Sequence, residues 1–199
     1  MKGPVVFDFD KTLTEKDTLF GFYEEASRSV PVFKIKYPFF ILAAAAFKLG
    51  LISNLTLKKT GVWCYLNGLT RDEVKEVGET YAGRIELNNI YKEEFLKYSS
   101  EQVIIISASF EDYLKPLFPK HRVVGSRLSY SKENRVNGVS VNMYGESKRE
   151  WLQNHGVEKI DCLYTDSYSD KPLMDMAERT CFVKNGSVEL QIDGSEKPG

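Results

Sequence analysis

The stretch of residues 5–14 constrains the fold of this chain more than any other part of the sequence. Residues 5–7 are β-branched or aromatic, which is typical of a buried strand. Asp8 and Asp10 follow directly, and unpaired carboxylates at the end of a buried strand repel one another and lose hydration. Because ligands bind just outside the carboxyl ends of the strands in an open α/β sheet, the pattern favours a cation between these acids. A simple turn after a strand is the alternative.

Residues 15–98 carry helix signals throughout. The most apolar run, residues 37–47, is too short to span a bilayer as a helix, which takes roughly 20 residues. We expect this run to form the core of a small helical bundle. The alternative is that Phe39, Phe40 and Phe47 face outward, toward a lipid tail or a membrane surface.

After residue 98, short β-branched runs alternate with helix signals. Strands are predicted at residues 103–106, 122–125, 160–164 and 180–183, a hairpin turning at Asn137-Gly138 at residues 128–144, and a helix at residues 172–178. This alternation is typical of an α/β fold, a parallel sheet with helices on both faces. About 90 residues separate the first two strands, far more than an ordinary connection. We therefore expect a core of residues 1–14 and 99–190 and a helical insert of residues 15–98.

Polar side chains occur in four places that this fold can bring together. They are Asp8 with Asp10, Ser107, Lys148, and Asp166 with Asp170. Three of these places follow predicted strands, whose carboxyl ends lie at one edge of a parallel sheet. Acids with no clustered His or Cys suit Mg²⁺, and such a set can transfer a phosphoryl group through an aspartyl phosphate. Ser107 as a plain helix cap, and Lys148 as a solvated charge, are the structural alternatives.

Composition narrows the class of protein further. Hydrophobic residues make up 42% of the 199 residues, as in ordinary globular proteins. The chain has 27 basic and 28 acidic residues, so it lacks the excess of positive charge that is typical of nucleic-acid-binding proteins. The three cysteines lie far apart in sequence and form no zinc pattern, and the N-terminus does not resemble a signal peptide. We expect a reduced, cytoplasmic protein. The oligomeric state is left open.

The four places resemble the motifs of the haloacid dehalogenase (HAD) superfamily. Residues 8–12, with the sequence DFDKT, resemble its first motif, DxDxT. Residues 105–107 look like the second motif, Lys148 like the third, and residues 166–170 like the fourth, DxxxD. The helical insert resembles the cap of the phosphoserine-phosphatase-like branch, subfamily IB. The resemblance implies a Rossmann-like core with a helical cap inserted after the first strand, and a small β-hairpin.

The resemblance also implies roles for the residues of the first motif. Asp8 would be the nucleophile and a Mg²⁺ ligand. Asp10 would be the general acid and base, with its backbone carbonyl on the metal. Thr12 would support the Asp10 loop and belong to the phosphate-binding set.

The other motifs complete the implied site. Ser107 and Lys148 would hold the transferring phosphoryl group. Asp166 would be the third protein ligand of the metal, and Asp170 would reach the metal directly or through water.

The sequence departs from the phosphoserine phosphatases in several places, and two of these, at Asp17 and in the cap, contact the amino-acid part of their substrate. Asp17 stands where they carry Glu, and Lys58 or Lys59 falls where they carry Arg in the cap. Ser109 replaces the second glycine of their Ser-Gly-Gly, and Ser169 replaces an Asn. The resemblance thus implies the core chemistry without implying phosphoserine as the substrate. Asp17 and the two lysines are the cap charges expected to face the substrate.

These observations predict a Mg²⁺-dependent phosphomonoester hydrolase that acts on a small phosphorylated metabolite. One alternative is a lipid phosphate phosphatase, because the apolar run after Pro38 and residues 164–170 also resemble bacterial phosphatidylglycerophosphate phosphatases. We favour a small metabolite as the substrate over this alternative and over a contact with a membrane. A second alternative is a non-catalytic phosphate-binding module, HAD-like or similar to receiver domains. Receiver domains lack an Asp two residues after the phosphorylated one, and the acids of this chain are intact.

Overall fold

The central element of the fold is one twisted β-sheet. A computed structural model describes residues 3–28 and 33–193, and the strands among them form a seven-stranded sheet in the order β4-β3-β2-β1-β5-β6-β7. The strands are β1 (Val5–Phe7), β2 (Val103–Phe110), β3 (Arg122–Tyr130), β4 (Val136–Val141), β5 (Ile160–Thr165), β6 (Ala177–Lys184) and β7 (Ser187–Asp193). The helices are α1 (Leu19–Ser27), α2 (Phe33–Lys48), α3 (Asn54–Gly61), α4 (Arg71–Ala82), α5 (Asn89–Glu93), α6 (Glu111–Leu117), α7 (Glu146–Asn154) and α8 (Lys171–Met174).

The register of the central strands brings their carboxyl ends to one edge. β1 runs parallel to both of its neighbours, and Phe7 pairs with Ile105 of β2 and with Tyr164 of β5. β3 and β6 extend the parallel sheet, while β4 and β7 are antiparallel strands at its two sides. The predicted α/β fold with a parallel core is confirmed.

The two faces of the sheet are covered by different elements. Alternate residues of a strand point to opposite faces. Phe7 and Ile105 pack among side chains of the helices between β1 and β2, such as Phe95. Val6 packs on the other face against Leu152 of α7 and neighbouring side chains. The central strands of the sheet are therefore buried on both faces, as their near-continuous apolar sequences require, while β7 is largely exposed.

The hairpin differs from the sequence-based expectation. The turn between β3 and β4 is made by residues 131–135, where Asn134 has a φ of 59° and its amide donates to Ser131. Asn137 and Gly138, the predicted turn, lie inside β4, and Gly138 pairs with Ser129. Two short turn candidates stand close together here, and Asn134 is the one that takes the left-handed conformation that Asn tolerates.

The C-terminal helix and strands also begin and end at residues other than those predicted. The predicted helix at residues 172–178 is only α8, because residues 177 onward already pair with β5 as β6. Strand β7 extends to residue 193, beyond the predicted end of the core at residue 190. The tail from residue 194, expected to be disordered, lies outside the described residues.

The described residues between β1 and β2 form helices and connecting loops without a strand of the sheet. They include a π-helical turn, Val62–Leu66, and a 3₁₀ turn, Phe95–Lys97, besides α1–α5. Backbone hydrogen bonds join this insert to the hairpin, since the amide of Val136 donates to Leu69 at 2.8 Å and the amide of Gly68 donates to Val136 at 2.9 Å.

The expectation that the apolar run forms the core of the insert is wrong for most of α2. Phe40 is 7% exposed and packs against Tyr23 and Tyr65. Phe39 is 56% exposed and Leu42 is 68% exposed. The run is apolar on all sides, so one stripe is enough to anchor the helix and the remaining side chains face solvent. No helix in the described part of the chain is long and apolar enough to cross a membrane.

Candidate active site

The loop after β1 separates the two acids of the first motif. The amide of Asp8 donates to the carbonyl of Tyr164 at 2.9 Å, which keeps Asp8 at the edge of the sheet. The chain then turns tightly, with the amide of Leu13 donating to Phe9 at 2.8 Å and Lys11 at a φ of 59°. The Asp8 and Asp10 side chains consequently lie in different surroundings, as their proposed roles require.

Lys148 lies between two buried carboxylates. Its Nζ is 2.9 Å from Oδ1 of Asp8 and 2.7 Å from Oδ1 of Asp170. The second oxygen of Asp170 accepts a hydrogen bond from the hydroxyl of Thr165 at 2.9 Å. Gly145, with a φ of 57°, precedes α7 and allows the turn that carries Lys148 into the sheet edge.

Burial and neighbouring charges shift the pKa values of this group. Burial raises the pKa of Asp8 to about 7, the Asp170 carboxylate adds to the rise, and the Lys148 ammonium opposes it. Burial alone would lower the pKa of Lys148, but Asp170 and Asp8 outweigh it and hold that pKa above its ordinary value. The lysine therefore stays charged next to two acids whose negative charges repel one another.

Asp10 is held by hydroxyl and amide donors. The amide and the hydroxyl of Thr18 each donate to Oδ1 of Asp10 at 2.6 Å, and the hydroxyl of Ser109 donates to Oδ2 at 2.5 Å. Burial raises the pKa of Asp10 to about 6, helped by the charge of Asp17, while the hydrogen bonds from Ser109 and Thr18 lower it. A carboxyl group with such a pKa can give up and take back a proton near neutral pH.

A cavity of about 230 Å³ opens at this edge of the sheet. Its lining includes the predicted residues Asp8, Asp10, Asp17, Ser107, Lys148 and Asp166, together with Lys11 and, from the insert, Phe47 and Asn54. The structure thus brings residues from all four motifs to one cavity. A larger groove of about 660 Å³ lies between α4, α6 and β3 and contains none of the predicted site residues.

Two residues of the motifs lie behind the cavity instead of lining it. Asp170 is 1% exposed and contacts Lys148 and Thr165. The hydroxyl of Thr12 is buried and has no hydrogen-bond partner in the described part of the chain. The carbonyl of Thr12 accepts a hydrogen bond from Nδ2 of Asn88 at 3.0 Å, so the insert helps to hold this loop.

The two cap lysines do not line the cavity. Lys58 is buried, and its Nζ donates to Oγ of Ser126 at 2.9 Å and to Oδ1 of Asn142 at 2.6 Å. Burial and, after it, the charge of the Lys148 ammonium lower the pKa of Lys58 to about 7, against the opposing charges of two acids of the first motif region, Asp10 and Asp17. Lys59 is exposed and points to a separate groove beside Trp63.

Several residues of the site were not predicted from the sequence. Ser109 had a local signal, because it follows Ser107 by two residues at the carboxyl end of β2. Thr18, Phe47 and Asn54 had none, since their position depends on how the insert packs over the sheet.

The cavity is suited to a hard divalent cation. Within residues 3–28 and 33–193, no three His, Cys, Asp or Glu side chains are grouped closely enough to ligate one ion by themselves. The side chains of Asp8 and Asp166 with the backbone carbonyl of Asp10 would leave the remaining positions to water or phosphate, which is the habit of Mg²⁺. Burial also raises the pKa of Asp166, so its ionised form is disfavoured until a positive charge such as a bound cation lies beside it.

Comparison with known proteins gives a consistent picture. A family model described as haloacid dehalogenase-like hydrolase matches residues 5–175. A phosphoglycolate phosphatase of Sulfurisphaera tokodaii is 27% identical over 192 residues, covering 94% of this chain and 83% of the relative.

Solved structures share the fold at low sequence identity. A phospho-aspartyl intermediate analogue of phosphoserine phosphatase superposes with a TM-score of 0.60 at 17% identity, covering 92% of this chain and 88% of that one. A HAD family hydrolase from Salmonella enterica serovar Typhi gives a TM-score of 0.62 at 14% identity over 87% of this chain. This chain spans 59% of the length of the Salmonella protein.

The fold and these comparisons together identify a phosphatase built on a Rossmann-like core. The chain belongs to the haloacid dehalogenase-like hydrolases. The prediction of a phosphatase of this superfamily, similar to the phosphoserine phosphatases, is confirmed.

Proposed function

We propose that the protein is a Mg²⁺-dependent phosphomonoester hydrolase that acts through an aspartyl phosphate on Asp8. The proposal rests on one arrangement. Lys148 donates a hydrogen bond to Oδ1 of Asp8 at the cavity, while Asp10 lies nearby and accepts its hydrogen bonds from other residues. Lys148 leaves Oδ2 of Asp8 to act as the nucleophile. The two carboxyl groups of one short loop can therefore take two different roles.

The steps follow from these positions. Asp8 attacks phosphorus, the ester P–O bond breaks, and Asp10 gives its proton to the departing oxygen. Asp10 then takes a proton from a water molecule as that water attacks phosphorus, which breaks the bond to Asp8 and releases inorganic phosphate. Ser107 and Lys148 stabilise the charge on the phosphoryl oxygens.

Mg²⁺, when bound, would supply further charge neutralisation at the phosphoryl oxygens. Asp8, Asp166 and the carbonyl of Asp10 would hold it, with Asp170 acting through Lys148 or through water. Thr12 supports the loop from behind and does not bind phosphate with its side chain.

We also propose that residues 15–98 act as a cap on a core of residues 1–14 and 99–190. The observation that supports this division is that Phe47 and Asn54, both in the insert, line the same cavity as Asp8. Closing such a cap excludes water and selects the leaving group. Asp17 is the cap charge that contacts the substrate, while Lys58 ties the cap to Ser126 and Asn142 of the core.

A cavity of about 230 Å³ supports a small phosphorylated metabolite as the substrate. The three cysteines are free and buried, which supports a reducing compartment such as the cytoplasm.

The first experiment measures phosphate release from p-nitrophenyl phosphate. We expect EDTA to abolish turnover and Mg²⁺ to restore it, and Asp166→Ala to raise the Mg²⁺ concentration needed for half of the maximal rate. Zn²⁺ should substitute poorly, because no His or Cys among residues 3–28 and 33–193 lines the cavity. Full activity of a metal-free preparation would contradict the metal part of the proposal.

A lipid phosphate is the second candidate substrate, and the exposed face of α2 favours it. The exposed apolar side chains of α2 continue into the residues that follow it and into Trp63 beside it. They are Tyr37, Phe39, Ile41 and Leu42 on the helix, Leu49 and Leu51 after it, and Trp63. α2 contains no acidic residue and carries Lys36 and Lys48, a pattern that suits an anionic lipid surface. Phe47, on the same helix, lines the cavity.

The two candidates are separated by sedimentation with vesicles that contain an anionic lipid phosphate, and by phosphate release from that lipid. Binding to the vesicles with hydrolysis of the lipid supports the second candidate. A protein that stays in the supernatant and hydrolyses only small phosphate esters would contradict it.

A further inference from the structure

The carboxyl group of Asp10 has hydrogen-bond donors on both oxygens. Oδ1 accepts from the amide and from the hydroxyl of Thr18, each at 2.6 Å, and Oδ2 lies 2.5 Å from the hydroxyl of Ser109. Ser109 is 1% exposed and Thr18 is 7% exposed. These contacts are therefore part of the protein interior and do not depend on surface side chains.

The two oxygens differ in how many hydrogen bonds they accept. Oδ1 of Asp10 accepts two, from the amide and the hydroxyl of Thr18, which occupy both of its lone pairs. Oδ2 accepts one, from the hydroxyl of Ser109, so its second lone pair can carry a proton. The proton that passes to the leaving group is consequently the one on Oδ2.

Both donors to this carboxyl group are themselves held in place. The amide of Ser109 donates to Oγ of Ser107 at 3.1 Å. The OH of Tyr113 lies 3.0 Å from Oγ1 of Thr18, and the OH of Tyr81 donates to the carbonyl of Thr18 at 2.7 Å. Ser109 and Thr18 therefore have little freedom to move.

We propose that Ser109 is a positioning residue that aims Oδ2 of Asp10 at the oxygen of the leaving group. The inference rests on the proposed function, in which Asp10 is the general acid. No bond to Ser109 forms or breaks during the reaction. The proton moves from Oδ2 of Asp10 to the departing oxygen as the P–O bond breaks, and Ser109 keeps the carboxyl group from rotating away.

A positioning role for the general acid predicts a dependence on the leaving group. p-Nitrophenol departs readily without a proton, whereas an alkoxide departs only when it is protonated. Losing the Ser109 hydroxyl should therefore slow the hydrolysis of an alkyl phosphate much more than that of p-nitrophenyl phosphate. A general loss of structure would slow both reactions alike.

The experiment compares kcat/KM for p-nitrophenyl phosphate and for one alkyl phosphate, both with Mg²⁺, in the wild type and in Ser109→Ala. This ratio reports the steps up to the departure of the leaving group and does not include the later attack of water, in which Asp10 acts alike for both esters. General acid catalysis contributes on the order of 10²-fold or more, so we expect kcat/KM for the alkyl ester to fall by about tenfold or more. For the aryl ester, kcat/KM should fall by less than about threefold, because little proton transfer to the leaving group is needed there.

Two further variants control this comparison. Ser109→Cys keeps the size of the side chain with a weak hydrogen-bond donor, and it should show the same selective loss if alanine disturbs the fold. Ser140→Ala removes a hydroxyl that donates to Leu128 in the hairpin at 2.9 Å, and it should leave both rates unchanged. Equal losses on both esters in Ser109→Ala and Ser109→Cys, or no loss on either, would overturn the inference. A wild type inactive on both esters would instead contradict the proposed function itself.

Discussion

The edge of the sheet and helix α2 both depart from the usual arrangement of a globular protein. The sheet edge buries charged side chains, and α2 exposes large apolar ones. At the sheet edge, Asp8 is 7% exposed and Lys148 is 3% exposed. On α2, Phe39 is 56% exposed and Leu42 is 68% exposed. Charged groups are rarely buried without a partner, and large apolar faces are seldom left in solvent.

The two regions differ in where the favourable contacts for these unusual side chains come from. The buried ammonium of Lys148 meets Asp8 and Asp170 within the chain itself. On α2, Phe40 packs against Tyr23 and Tyr65 inside the chain, and the lipid surface proposed above would cover the exposed side chains from outside. A buried charge cluster thus indicates chemistry, and an exposed apolar helix indicates a contact.

The largest effect is expected at the charged edge. Asp8→Asn should lower turnover of p-nitrophenyl phosphate on the order of 10³-fold or more, because a neutral amide cannot attack phosphorus. The melting temperature should not fall, since Lys148 keeps Asp170 as a partner. Asp193→Asn, an exposed acid of β7, is the matched control and should behave as the wild type. Wild-type turnover by Asp8→Asn would show that this edge is not the nucleophilic site.

Lys148→Met tests whether the buried charges depend on one another. The variant leaves Asp8 and Asp170 buried together without their cation, and removing one partner of a buried ion pair costs roughly 3–5 kcal/mol. Urea unfolding measures the change in the free energy of unfolding. Adding Asp170→Asn should recover part of the loss, and a Lys148→Met protein as stable as the wild type would contradict this account of the cluster.

The buried amine of Lys58 should make the free energy of unfolding depend on pH, and this effect is expected to be smaller. Its pKa is lowered to about 7 in the folded protein from an ordinary value of 10.5, mainly by burial, so the unfolded chain binds the proton more tightly. The free energy of unfolding should therefore increase as the pH rises from 7 toward 10.5. Lys58→Met should lose this part of the increase, while Lys59→Met, an exposed neighbour, should keep it. Identical pH profiles for Lys58→Met and the wild type would contradict the burial of the amine.

The smallest change in stability is expected on the exposed face of α2. Phe39→Asp with Leu42→Asp should alter the free energy of unfolding by less than about 0.5 kcal/mol and leave the turnover of p-nitrophenyl phosphate unchanged. Phe40→Asp, one residue along, should destabilise the protein by roughly 2 kcal/mol or more, because it buries a carboxylate among aromatic rings. Equal destabilisation by both variants would show that the whole helix is core. Selective loss of activity on a lipid phosphate in the double variant would sharpen the contrast.

The sequence was sufficient for the parts that depend on local pattern. Asp8 and Asp166 follow strands, and the ends of parallel strands meet regardless of what lies between them, so their convergence could be predicted. The parts that depend on packing could not be predicted. Lys58 looked like a substrate contact, but the register of β3 and the hairpin puts Ser126 and Asn142 within its reach. Residues 37–47 are equally apolar on all sides, so the sequence could not indicate which stripe is buried.

The central claim is that Asp8 carries the phosphoryl group, and the most direct test is to trap it there. The Asp10→Asn variant, which lacks the base that activates water, is mixed with p-nitrophenyl phosphate and Mg²⁺, quenched in acid, digested and mapped by mass spectrometry. The account predicts one added phosphoryl group on the peptide that contains Asp8, no such group when Asp8→Asn is introduced as well, and only a trace in the faster wild type. A phosphoryl group on any other residue would contradict it.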